Sequence, residues 1–202
     1  MKAVRKFLAI ALAGVLALSV LTGCGGGGGA SGTSVIDALN YWAEFYNERY
    51  VFKAGDSALQ TKTNELAATI EESAKELDFS SAKITEDIVA IIEDDVPTMQ
   101  KIDAVLNFPQ AKIGDGSPLY MFGLSEMSLP AAWPRDKMTY YAHQLYDEAE
   151  DVNAPDKHYE EPNWEPDWTY GDEFYASVAT VTVAGRQYMI ALFKTTEVPY
   201  TE

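Results

Sequence analysis

Between residues 34 and 149 of this chain apolar positions recur at intervals of three and four, and beyond residue 173 the period changes. Ser34-Val35-Ile36-Asp37 has the form of a helix-opening capping box, and Ile36, Leu39, Ala43, Tyr46 and Tyr50 follow on one stripe, with Tyr41, Trp42 and Phe45 beside it. After the turn Ala54-Gly55-Asp56 a second helix is predicted from Ser57, with Leu59, Thr63, Leu66, Ile70, Ala74 and Leu77 inward and Glu65, Glu71, Glu72, Lys75 and Glu76 toward water. A third starts near Ser81, with Ile84, Ile88 and Ile91 inward. Pro97 ends it near Asp95 and opens a fourth, with Met99, Ile102, Val105 and Leu106 inward. Asn107-Phe108-Pro109 and Gly114-Asp115-Gly116-Ser117-Pro118 mark a loop, "LYMFGL" (119–124) a short buried strand, and Pro134 the start of a helix carrying Met138, Tyr141, Leu145 and Ala149.

The stretch "FYASVATVTVAGRQYMIALF" (174–193) is rich in β-branched and aromatic residues around Ala184-Gly185, which predicts a β-hairpin. Both of its faces are apolar, so helices should cover at least one. Because a lone hairpin is barely stable in water, a third strand should pair with it. The predicted class is α+β: several helices on a small antiparallel sheet that ends in the C-terminal hairpin, an α-β-α sandwich if both faces are covered. Val178, Val181, Tyr188, Ile190 and Leu192 should be among the least exposed residues.

Ahead of residue 34 the composition is different. Lys2, Arg5 and Lys6 precede an apolar run from Phe7 to Leu21, interrupted only by Ser19, with small residues after it, the form of a signal peptide over residues 1–23. The run is shorter than the roughly 20 residues that a membrane-crossing helix needs. Leu21-Thr22-Gly23-Cys24 resembles the lipobox of bacterial lipoproteins. That resemblance implies a diacylglyceryl group on Cys24, cleavage after Gly23 and attachment to the lipid bilayer outside the cytoplasm. Two acyl chains hold a protein on a bilayer stably without further contacts. Residues 24–33, glycine-rich, form a flexible tether, and residues 34–202 form one extracytoplasmic domain.

Removal of residues 1–23 takes three of the 15 basic residues and none of the 31 acidic ones, leaving a net charge near −19. Nucleic acid and anionic lipid surfaces would repel such a chain, whereas a cation, a cationic peptide or a basic protein would be attracted. With Cys24 acylated no thiol remains for a disulfide, a nucleophile or a metal.

Searches for a zinc-protease helix, a phosphate-binding loop and a complete calcium loop return nothing, and Gly123-Leu124-Ser125 starts like a nucleophile elbow without the closing glycine. His143, within a predicted helix, reads as a surface or packing residue. The unusual stretch is residues 147–173, with eleven acidic residues against one lysine and three prolines among its aromatic residues. Its rings either pin a long loop to the domain or form a ligand surface. As a surface, Tyr159, Trp164, Trp168 and Tyr170 with His158 would take a cationic group or a sugar. Asp151, Asn153 and Asp156 supply oxygens suited to Ca2+, and the loop as a whole could dock a basic protein.

The order of a short aromatic helix, the longer helix "SALQTKTNELAATIEESA", Pro155 shortly before His158 and a closing hairpin resembles the CAP superfamily of secreted proteins, which implies an α-β-α sandwich. That family's cavity uses two histidines and two acidic residues. Here only His158 has a counterpart, no histidine falls between Glu65 and Lys83, and the Gly-Glu-Asn motif is missing, so the resemblance implies a degenerate metal cavity. The leading functional expectation is a non-enzymatic binding or interaction module. Beside it stand a cell-envelope hydrolase using His158 as general base next to Glu160 or Glu161, and a structural envelope component.

Overall fold

The computed structural model describes residues 34–112, 114–128, 136–155 and 168–199. The first helix, α1 (Val35–Phe45), opens on Ser34, whose hydroxyl accepts the Asp37 amide at 3.1 Å. Its buried positions are Val35, Ala38, Leu39, Trp42 and Ala43, a stripe rotated from the expected one, because the helix stops at Phe45 and Asn47 turns the chain with φ 57°. Strand β1 (Val51–Ala54) takes the place of the expected last helical turn around Tyr50. Helix α2 (Ser57–Ala74) is capped by Asp56 and buries Leu59, Thr63, Leu66, Ile70 and Ala74 as the spacing predicts. Helices α3 (Thr85–Asp94) and α4 (Val96–Val105) meet at Asp95, which caps α4 just ahead of Pro97. Ile84 lies outside α3 and is exposed, in contrast to its expected inward place.

The remaining elements are β2 (Pro118–Glu126), α5 (Lys137–Asp147), β3 (Glu150–Asp151), β4 (Trp168–Tyr170), β5 (Glu173–Val183) and β6 (Arg186–Pro199). The hairpin β5–β6 closes through Ala184 (φ 51°) and Gly185 (φ 77°), the two left-handed positions of a two-residue primed turn. In sheet order β1-β5-β6-β2-β3, with β4 also on β6, the hairpin is central. The sheet is mixed rather than wholly antiparallel, since β1 runs parallel to β5. So short a strand, with one buried side chain, carries no period of two for a sequence reading to find.

Helices cover both faces, which makes the α-β-α sandwich. On one face α1 and α5 bury Leu39, Trp42, Ala142 and Leu145 against Phe174, Ala176, Val178, Met189, Ala191 and Phe193. On the other, α2, α3 and α4 bury Leu66, Ile70, Ile88, Ile102 and Val105 against Ala179, Val181, Val183, Tyr188 and Ile190. The described members of both clusters run from Val35 onward, so the chain from Cys24 onward contains them. All five hairpin residues expected in the core are buried, Ile190 and Leu192 completely. Gly123 lets α5 settle on β2, because a Cβ there would stand 3.0 Å from the Leu145 carbonyl oxygen. At the sheet margin the Asn40 carboxamide accepts the Phe52 amide at 2.8 Å and donates to the Phe52 carbonyl at 2.9 Å, fixing α1 to β1.

Candidate functional site

Strand alternation sends Gly123 and Ser125 of β2 toward α5, where the Ser125 hydroxyl donates to Gln144 at 2.7 Å. Tyr120, Phe122 and Leu124 therefore face the α2–α4 side, and each stays only partly buried. The reason is geometric. Helix α2 lies over β5, while α3 and α4 stand off β2 and leave a cavity of about 510 Å³. Ile88, Val89 and Ile92 of α3 and Met99, Ile102 and Leu106 around α4 form one wall. Phe122, Leu124, Val181, Val183 and Tyr188 of the sheet form the floor. Small-ligand sites have volumes of about 300–1,000 Å³ and mostly apolar linings with a few polar groups.

Contacts at two ends hold the cavity open. At the start of α3, Thr85 donates to Glu126, and Arg186 donates to Thr85 at 3.1 Å and to the Lys83 carbonyl at 2.8 Å. After α4, the Phe108 ring stacks on Tyr120 with centroids 3.6 Å apart, and the Lys62 ammonium lies 5.5 Å from the Phe108 centroid. Glu93, Asp103, Glu150 and Asp151 border the cavity, and among the described lining residues there is no Lys, Arg or His. The Tyr188 hydroxyl in the floor is buried without a hydrogen bond of good geometry, its neighbour Thr85 being already engaged by Glu126 and Arg186.

The structure places the sequence-predicted residues as follows. Cys24, Asp156, His158, Tyr159 and Trp164 lie outside the described residues, and Trp168 enters through its backbone, as the first residue of β4. The Tyr170 hydroxyl donates to both oxygens of Asp151, at 2.6 and 2.7 Å, so two of the candidates hold each other and pin β4 toward β3. Asn153 is committed inside the fold. Its side-chain oxygen accepts the Tyr120 amide at 2.8 Å, and its nitrogen donates to the carbonyls of Pro109 and Pro118. That oxygen faces a buried amide rather than an ion, and among the described residues no group of three or more His, Cys, Asp or Glu is arranged to hold a metal.

His143 packs edge-on against Trp42, with centroids 4.3 Å apart. Its Nδ1 stands 3.2 Å from Asp147, which can only accept, so the neutral ring carries its proton there and Nε2 accepts the Tyr46 hydroxyl at 2.8 Å. Desolvation and then the Asp147 charge raise the Tyr46 phenol above its ordinary value, so it stays protonated and is not an activated nucleophile. A second recess, about 730 Å³, carries ion pairs at its margin, Arg49 with Asp172 at 2.7 Å and Glu173 with the neighbouring Lys53.

Sequence reasoning named Ile88, Met99, Ile102 and Leu106 as inward positions but not as the wall of a cavity. The one available signal was the pair of short helices broken at Asp95-Val96-Pro97 opposite "LYMFGL". Comparison with protein-family models, with curated proteins and with solved structures finds no match. No helix among the described residues is long and apolar enough to cross a membrane.

Proposed function

We propose that the protein is an extracytoplasmic lipoprotein, anchored to the bilayer through an acylated Cys24, whose domain is a non-enzymatic binding module taking a small, largely apolar ligand in the cavity between α3–α4 and β2. The observation that carries the reading is the cavity: about 510 Å³, apolar in floor and wall, between α3–α4 and β2. The anchor rests on the order of basic start, apolar run and Leu21-Thr22-Gly23-Cys24. Tethered by a glycine-rich segment, the domain need not touch the membrane and can turn its cavity toward solvent.

Nile red, an uncharged apolar dye, tests the cavity. It should bind the mature chain, residues 24–202, with a gain in fluorescence, and Leu124→Trp should abolish that gain while thermal unfolding stays cooperative. Failure of the wild type to take up the dye sinks the binding reading. Labelling with a fatty-acid analogue tests the anchor: the wild type should be marked and Cys24→Ser should not.

A further inference from the structure

The border of the cavity has a charge pattern found nowhere else among the described pockets. Glu93 comes from α3, Asp103 from α4 and Glu150 from β3, so three separate elements contribute an acidic residue to the lining of one cavity. Among the described residues, none of the three is held by an ion pair or a side-chain hydrogen bond. At the second recess, by contrast, Asp172 and Glu173 are neutralised locally by Arg49 and Lys53. Asp151 also borders the cavity, but Tyr170 occupies its carboxylate. Carboxylates around a low-dielectric cavity raise the local concentration of cations. The Phe122 ring in the floor adds an aromatic group that can attract an ammonium, whereas the Phe108 ring is already engaged by Tyr120 and Lys62.

The geometry points to an amphiphilic cation as the ligand: an apolar tail in the cavity and a cationic head, such as a quaternary ammonium, between Glu93, Asp103 and Glu150. This inference rests on the binding reading above and adds the charge of the ligand to it. A neutral tail would gain the apolar burial alone, and an anionic head would meet the carboxylates of the lining.

Three octyl compounds with the same tail separate the head from the body: octyltrimethylammonium, octyl glucoside and octyl sulfate, each titrated against Nile red bound to residues 24–202. The cation should displace the dye about tenfold more tightly than the glucoside, with the sulfate weakest, and added salt should compress the order. In the triple variant Glu93→Gln, Asp103→Asn, Glu150→Gln the cation's advantage should fall to less than about threefold, while the glucoside binds as before, which shows the cavity to be intact. Equal displacement by all three, or a preference for the sulfate, overturns the inference and leaves the apolar cavity standing. Displacement by none of the three overturns the inference as well, whereas the binding reading falls only if Nile red itself is not taken up.

Discussion

The two faces of the sheet are built on different plans. Under α1 and α5 the packing closes: Leu39, Ala142 and Leu145 are completely buried, the Trp42 indole donates to the Thr139 carbonyl at 2.8 Å, and Gly123 admits α5 to contact distance. Under α2, α3 and α4 the packing closes only over β5, and the ten-residue helices α3 and α4 bridge a space above β2. A continuous helix could not leave that space so readily, because Asp95 and Pro97 break the run into two pieces that approach the sheet at separate points. The tightest packing and the cavity thereby lie on opposite sides of one sheet.

The comparison breaks most directly at the closed face. Leu145→Ala should cost about 2–5 kcal/mol in urea unfolding, and the same truncation at Leu124, on the cavity floor, should cost markedly less, because the lost methyl groups already border empty space. Gly123→Ala should cost about 1–3 kcal/mol, since the added methyl must push α5 away from the sheet. Equal losses at Leu145 and Leu124 would mean that the two faces are packed alike.

Alkaline pH sharpens the contrast through Tyr146, whose ring joins Tyr46 and Phe52 on the closed side. Desolvation first, then the charges of Glu48 and its neighbours, raises its phenol to about 12, whereas an unfolded chain ionises tyrosine near pH 10. The folded state thus resists losing that proton. The corresponding stability is complete below pH 10 and is lost as pH rises toward 12. Unfolding midpoints followed from pH 9 to 12 should fall less steeply in Tyr146→Phe than in the wild type, an effect kept modest by the partial exposure of the ring. The smallest change belongs to the open face: Leu124→Phe should shift stability by less than about 0.5 kcal/mol, because the larger ring has room, while weakening Nile red.

The elements were legible because their signals are local. Ser34, Asp56 and Pro97 announce helix starts, and Ala184-Gly185 between β-branched runs announces the hairpin. Two features were not legible. The stripe on α1 was read through Tyr50, since nothing near Tyr46 advertises the left-handed Asn47 that ends the helix and frees Val51–Ala54 to become a strand. The cavity escaped for a different reason: Ile88, Ile102 and Phe122 are apolar whether they meet other side chains or a void, and only the spacing of whole elements decides which. The acidic, aromatic stretch drew attention by composition, yet its described members Tyr170, Asp151 and Asn153 are joined to the fold by their own hydrogen bonds.

The clamp of Asn40 on Phe52 bears on how two copies of the sheet can meet. In a strand, alternate residues turn their amide and carbonyl outward, and Val51 and Gly55 already donate inward to Asp172 and Ala176. Phe52 and Ala54 are left as the outward pair, and Asn40 occupies both groups of Phe52. The opposite margin of the sheet is β3, two residues long and both acidic. A second copy would therefore meet, at one margin, a strand with one of its two outward residues already engaged by a side chain and, at the other, a short strand whose charge repels its own kind. Edge-to-edge fibre growth, the hazard of every open sheet, is thereby hindered at both margins of the described sheet.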